Sequence, residues 1–486
     1  MSNFFPNINL DALKVLAIAA AIVQRNQRKA VRERQGYRVP PDVVPKVENL
    51  ADIEFGGDRM ILVTFETNTV FFGPRQMLAH FPAGRSALTV QVMRRMTAYL
   101  QHSKFRAQGI RPPVIYQSQE MPNKVGADVV LLQKPPGVHL DTEWPKLSMK
   151  ERKHVVDRLI VMMLELFNSR MPTITSFMQG HEYALPPGSG PDRELLISRQ
   201  FNFGPLKDLP PQRALKSNAE YLQALAARID RVFSSPALAN AAAHDTGFPE
   251  NPRLTDADVE RIKETWRRLK TLIPFHTGGF YTPASLNNER QQVFDVLSGN
   301  EFALVHPDLR MSRFIVDFRR NQDEPADLYV FGWEHAHTAP LWSAARMPQW
   351  LMPHVIPADP VPWEEKAAFK RYIVKQCCKR HPLEKTWKWL AAHLHGRVER
   401  WFEGLIGAHW MFRDMNEVFL SSLQEHWARE GIPVQFPIDA SRQYLARVGY
   451  TSLAGHDRDT SSLNSLGGAP PIDLEQEMEE TPQKLA

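Results

Sequence analysis

Cysteine is almost absent: Cys377 and Cys378 are the only two in the 486-residue chain, and they are adjacent. Neighbours in sequence rarely reach disulfide geometry, so the fold is not stapled by disulfides and a reducing compartment is the simpler setting. An excess of one charge sign is missing too. Lysine and arginine number 59 against 54 aspartate and glutamate, a formal net charge of +5. That near balance argues against a dedicated nucleic-acid surface and makes the basic patches local. A membrane-length apolar run is also lacking. Residues 10–23 (LDALKVLAIAAAIV) are apolar, but they fall short of the roughly 20 residues a bilayer requires and contain Asp11 and Lys14. No internal repeat is visible. What the chain does have is 43% hydrophobic residues, which at this length supply a large core shared among two or three domains or lobes.

The leader is basic after its apolar stretch, with Arg25, Arg28, Lys29, Arg32, Arg34 and Arg38 against Glu33 alone. Two readings stay open: an Arg-rich transit peptide directing the chain to mitochondria, or a helix that docks on the body or lies on a surface, with a cytoplasmic address. Residues 38–45 (RVPPDVVP) read as an extended linker, because proline fixes φ and disfavours helix in the residue before it. Beyond it, residues 53–80 predict short antiparallel strands broken at Gly56-Gly57 and Gly73-Pro74. Residues 87–102 have helical spacing at Leu88, Val92, Met96 and Leu100, and residues 129–133 (VVLLQ) form a buried strand before Lys134-Pro135-Pro136-Gly137.

From Lys150 the period is helical, through Val155, Leu159, Met162, Leu166 and Phe167. Polar intervals at 184–211 and 234–252 read as surface excursions, and 255–272 as a helix. Residues 301–305, 313–318 and 328–333 are strand-like. From Trp363 to about Glu430 the pattern is helical again, with Trp387, Trp401, Phe402, Trp410, Phe412, Phe419 and Trp427 expected in the core, and the basic run from Lys366 to Arg380 expected on a solvated face. The Gly/Ser/Pro-rich end from Thr451 predicts a disordered tail.

Chemistry concentrates in one run, His306-Pro307-Asp308-Leu309-Arg310-Met311-Ser312-Arg313, followed after a hairpin-length gap by Phe331-Gly332-Trp333-Glu334. The order resembles a kinase-type catalytic loop, in which an aspartate meets the acceptor hydroxyl while a later Asn and an Asp on the next strand pair hold magnesium. Together with Val125-Gly126-Ala127, Pro136-Gly137 and residues 338–342 (TAPLW), it resembles fungal members of the aminoglycoside phosphotransferase and choline-kinase-like branch of the protein-kinase-like family, over roughly residues 50–430. The resemblance implies an α+β, protein-kinase-like two-lobe fold: a small antiparallel β-sheet N-lobe on the nucleotide side at 46–136 and a mostly helical C-lobe at 137–450. Residues 1–45 would precede it as basic helix and linker, and 451–486 would follow as tail.

The resemblance implies a catalytic role for Asp308. Arg313, however, stands where the metal-binding Asn belongs, and Gly332 where the metal-binding Asp belongs. Arginine offers only donors and a permanent positive charge, and glycine offers no side chain, so no metal ligand is assigned and magnesium is doubtful. If 332–334 were strand, Glu334 would share a face with position 332 and point where that Asp would have pointed. On the nucleotide side His80 takes the place of the strand Lys or Arg, the following helix has no acidic residue to pair with it, and Gly56-Gly57 are the candidate phosphate-covering loop. ATP is the implied cofactor, with Gly56, Gly57, His80 and Arg313 on its side of the site.

Plainer readings stand beside these. Asp308 could cap local backbone amides, and His306 holds the loop rather than moving protons. Glu334-His335-Ala336-His337 and His393-Leu394-His395 lack a third metal ligand outside their own short runs. Two functions stay open: an ATP-dependent phosphotransferase acting on a small-molecule hydroxyl, impaired or inactive, in which Arg313 offsets phosphate charge; or a pseudokinase serving as a binding or regulatory module. A third, a membrane-associated protein anchored by the basic leader, accounts for residues 1–40 but not for the body. The acceptor, any protein partner and the oligomeric state are not legible.

Overall fold

The computed structural model describes residues 7–37, 43–55, 58–69, 74–82, 87–102, 109–174, 195–196, 212–233, 256–271, 273, 288–306, 308–318, 327–351, 361–380, 384–396, 399–400, 402–403, 406 and 420–421. Gly56, Gly57, most of the 184–211 interval, the 234–252 interval, most aromatic positions after Phe402 and the tail from Thr451 lie outside them. The chain divides into two compact units, Met1–Glu250 with Ile273–Glu403, and Asn251–Leu272 with Gly404–Ala486. In the second, the helix Asp256–Thr271 carries ion pairs from Glu260 to Lys263 and from Glu264 to Arg267 and Arg268, at the i,i+3 and i,i+4 spacings that meet on a helix surface.

The first unit is α+β, as expected: a five-stranded antiparallel sheet comes first and a mainly helical part follows. The strands are β1 (Val47–Phe55), β2 (Asp58–Phe65), β3 (Gln76–His80), β4 (Ile110–Arg111), β5 (Ile115–Gln119), β6 (Val129–Gln133), β7 (Val138–His139), β8 (Arg170–Met171), β9 (Leu195–Leu196), β10 (Gln212–Arg213), β11 (Phe302–Val305), β12 (Phe314–Asp317), β13 (Asp327–Val330) and β14 (His337–Pro340). The first sheet runs β1-β2-β3-β6-β5. Its central strands are apolar at consecutive positions because both faces are covered. Ile61, Val63, Phe65, Met77, Ala79, Val129 and Leu131 face one way, and Met60, Leu78, Val130 and Leu132 the other.

The first face is covered by α1 (Leu10–Arg34), whose Leu13, Leu16, Ala17, Ala20 and Ala21 form one stripe against the sheet. Asn9 caps the helix by accepting from the Ala12 amide at 3.0 Å, and Arg32 and Arg34 complement the dipole of its last turn. The leader is thus a helix docked on the sheet. Among the described residues no helix is long and apolar enough to cross a membrane. The second face takes Val90 and Met93 from α2 (Ala87–His102), together with Ile315, Tyr329 and Phe331.

The helical part is built around α4 (Met149–Asn168), which follows the short α3 (Leu140–Glu143) and opens with a capping box between Ser148 and Glu151. Nine of its residues are buried with Trp144, Phe369, Ile373 and Trp389. Glycine is required at Gly137: its φ is 105° and an added Cβ would collide with the Val316 carbonyl, where β7 pairs with β12. Two expectations about the later helices need correction. Lys366, on the helix Trp363–Arg380, is 1% exposed, because it lies one turn before Phe369 on the stripe continued by Ile373 and Cys377. Trp387, on the next helix Glu384–His395, is exposed, and the core position there belongs to Trp389.

Leu13 is fully buried between α1 and the sheet, so Leu13→Ala should lower the unfolding free energy by about 2–5 kcal/mol in urea titration. Removing residues 1–37 should cost more. A truncated chain with an unchanged melting temperature would show that α1 is not part of this core.

Candidate functional site

The segment from His306 to Arg313 sits where two sheets meet. Strand β11 pairs with β14 and β8, whereas β12 pairs with β13 and β7, so residues 306–313 bridge one sheet to the other. The chain crosses back after β13. Strand-like character was expected through Trp333, but β13 ends at Val330: Gly332 has a φ of 90°, a left-handed conformation that ends the strand, and Trp333–His335 form a 3-10 turn.

His306 ties these two crossings together. Its Nε2 donates to the Phe331 carbonyl at 2.7 Å, and its Nδ1 accepts from the Asp308 amide at 3.1 Å. The ring packs edge-on against Trp333 at 4.5 Å between centroids. This bonding requires a neutral imidazole carrying its proton on Nε2. Burial pushes its pKa down to about 4, further lowered by Arg313 and opposed by the bond to Phe331 and by Asp308 and Glu334. His306 is therefore a structural histidine, in keeping with the sequence reading.

The Asp308 side chain, 10% exposed, is held by two arginines. Arg310 makes a fork, Nε to Oδ1 at 2.8 Å and an η-nitrogen to Oδ2 at 2.7 Å. Arg313 adds two bonds to Oδ2 at 3.2 Å each. Both carboxylate oxygens are thus occupied by guanidinium groups, a more specific arrangement than the expected amide cap.

Arg313 is the centre of charge. Its side chain is 6% exposed and reaches from the loop to Asp58, the first residue of β2, with a direct ion pair. Burial works against the charge, yet Asp58, Glu334 and Asp308 outweigh it and hold the guanidinium pKa above its ordinary value. The backbone is fixed as well, since the Arg313 carbonyl accepts from the Phe331 amide at 2.9 Å.

Positions 313 and 332 are physically linked. A Cβ on Gly332 would lie 3.2 Å from Arg313 Nε, 3.3 Å from Arg313 Cδ and 3.2 Å from His306 Cε1. The arginine stem thus fills the space into which a side chain at 332 would grow. Magnesium does not fit at this pair of positions: one supplies a fixed cation, and the other has neither a ligand nor room for one.

Other groups assemble at a different spot. Asp58 and Met60 share a face of β2, and His80, at the end of β3, pairs with Met60 in register. That face is the one packed on Tyr329 and Phe331. Asp58 and His80 therefore point toward the loop crossings, with His80 Nε2 at 3.5 Å from Asp58 Oδ2. Glu334 joins them from the 3-10 turn, and ligand atoms of the three lie within 4.8 Å of one another. The pairing of His80 is thus with a carboxylate of its own sheet rather than of α2, whose 16 residues include no acid. Glu334 does not reach the site by strand alternation, since no strand is there. Asp58 and His80 lie far from Glu334 in sequence, so the short run around Glu334 gives no sign of them. In the second histidine pair His393 is structural: its Nδ1 donates to the Ala345 carbonyl at 2.9 Å, its ring stacks on Trp389, and burial drives its pKa down to about 3.

No protein-family model matches the chain, and no curated protein matches it. Solved structures do. The gentamicin complex of the aminoglycoside phosphotransferase APH(2")-IIa aligns over 78% of this chain and 92% of that one, at 15% identity and a TM-score of 0.38. The apo form of a thermostable mutant of aminoglycoside phosphotransferase APH(4)-Ia aligns over 80% and 97%, at 13% identity and a TM-score of 0.33. Both likenesses are distant.

Two outcomes test this geometry. Gly332→Asp should destabilise the protein by about 1–3 kcal/mol, because it puts a Cβ at positive φ, crowded by Arg313 and His306. His306 is neutral when folded and titrates near its ordinary pKa when unfolded, so its contribution is complete above pH 6.5 and is lost as pH falls toward 4. Unfolding free energy measured between pH 7 and 4 should therefore fall more steeply for the wild type than for His306→Gln, by up to about 3 kcal/mol.

Proposed function

We propose that this chain is a diverged fungal member of the aminoglycoside-phosphotransferase, protein-kinase-like family in which phosphoryl transfer to a small-molecule hydroxyl is impaired or absent. The family resemblance rests on the catalytic-loop run from His306 to Arg313 and on Trp333-Glu334. The observation that carries the loss of activity is the state of Asp308. A carboxylate that orients an acceptor hydroxyl needs an oxygen turned to that hydroxyl, whereas both Asp308 oxygens accept guanidinium N–H bonds. A fixed positive charge at Arg313 also repels magnesium from the place where the family holds it.

A pseudokinase is the companion reading, and Arg313 favours it. The Arg313 guanidinium would take the place of magnesium at nucleotide phosphates only where those phosphates displaced Asp58 or Asp308 from it. The fold would then bind or regulate rather than catalyse, with the acceptor lost or replaced by a protein partner.

The test is thermal shift of the full chain with ATP alone and with ATP plus magnesium, alongside a phosphate-release assay. ATP should raise the melting temperature, magnesium should add nothing further, and no turnover should appear. Additional magnesium-dependent stabilisation, or turnover abolished by Asp308→Asn, would overturn the reading. The double variant Arg313→Asn with Gly332→Asp should gain a magnesium-dependent shift, since it removes the cation and opens room for the second ligand together.

A further inference from the structure

Beyond that reading, we propose that Asp58, His80 and Glu334 form a binding site for a first-row divalent transition ion, Zn²⁺ or Mn²⁺, displaced from the family's magnesium position and distinct from it in ligands. Three segments far apart in sequence supply one ligand each: the start of β2, the end of β3 and the 3-10 turn after β13. A bound ion about 2 Å from each ligand sets ligand atoms roughly 3–4 Å apart, so a group already within 4.8 Å closes by side-chain rotation.

The histidine is the second and independent observation. His80 is 4% exposed, its Nδ1 has no hydrogen-bond partner, and its Nε2 stands 3.5 Å from Asp58, beyond a good hydrogen bond. A metal-ligating imidazole ordinarily gives its other nitrogen to a partner or to water, and a buried imidazole without a strong bond at either nitrogen is costly unless a ligand completes it.

The donor set selects the ion. One imidazole with two carboxylates suits zinc or manganese, while magnesium prefers oxygen and keeps several waters. Charge permits it too. Asp58, Asp308 and Glu334 stand against the guanidinium groups of Arg310 and Arg313, which leaves one negative charge for the cation to meet. Three protein ligands leave coordination positions for water or an anionic oxygen. Arg313 competes for Asp58, so the site has two cations sharing one carboxylate.

The experiment uses the metal alone. The full chain, stripped with EDTA, is titrated with Zn²⁺ by calorimetry and with Co²⁺ by visible absorption, and retained metal is counted by mass spectrometry. The wild type should hold one equivalent more than His80→Gln and Glu334→Gln, and should develop ligand-field bands that both variants lack, with magnesium in large excess failing to compete. Arg313→Asn should tighten Zn²⁺ about tenfold by removing the competing cation. Melting curves in EDTA establish that the variants are folded. Equal stoichiometry and affinity in folded His80→Gln, or Zn²⁺ binding that Arg313→Asn leaves unchanged or weakens, would overturn the assignment. Failure here leaves the phosphoryl-transfer reading untouched, since no nucleotide enters the measurement.

Discussion

The buried guanidinium of Arg313 is the constraint on which the site depends. It pairs with Asp58 from the first sheet and Asp308 from its own loop, and Glu334 acts on it from the turn after β13. Burying such a charge is costly and is tolerated because carboxylates surround it. Each of those carboxylates in turn depends on the arginine: without it, Asp58, Asp308 and Glu334 would be three like charges in a largely dry pocket. The sheet and the loop are therefore joined by charge as well as by the packing of Met60 and Leu78 on Tyr329 and Phe331.

This joint also explains why Arg313, Gly332, His306 and His80 occur together. Arg313 brings a long side chain whose Cδ and Nε lie 3.3 and 3.2 Å from where a Cβ on residue 332 would sit, a crowding that glycine, at its positive φ, avoids. His306 is then free to bond Phe331 and Asp308 while packing on Trp333. A histidine at position 80, beside Asp58, belongs to the same set, since a lysine there would add a second buried cation next to the guanidinium. The defects read one by one along the chain are a single rearranged network in space.

Much of the fold was legible because its elements announce themselves locally. The run VVLLQ is β6, the helical spacing from Leu88 to Leu100 is α2, and the periodic stretch after Lys150 is α4. Apolar periodicity is a short-range signal and it marks such elements well. The site was legible only as far as His306, Asp308 and Arg313, which lie within one loop. Asp58 gave no signal of its own, because its role comes from strand register with His80 and from the loop that the sheet packs upon. Glu334 was placed by the wrong geometry, since a positive φ at Gly332 is not visible in a sequence that continues with strand-like residues. Lys366 and Trp387 departed from their expected environments for a related reason: charge and aromaticity suggest a face, but the buried stripe of each helix decides it, Phe369, Ile373 and Cys377 for Lys366, and Trp389, Ala392 and His393 for Trp387.

The docking of α1 has a consequence for the order in which this protein is made. The helix is synthesised before every strand it covers, and its partners extend as late as Leu131. Isolated helices of this kind are marginal in water, and the stripe of Leu13, Leu16, Ala17, Ala20 and Ala21 has no sheet to bury it until about a hundred further residues have emerged. During that interval a basic, apolar-striped segment is open to any chaperone or import factor that reads such a pattern. Once the sheet closes over it, the stripe is buried while Arg28, Arg32 and Arg34 stay exposed, so a factor that reads the apolar stripe must act before folding, whereas one that reads the basic face need not.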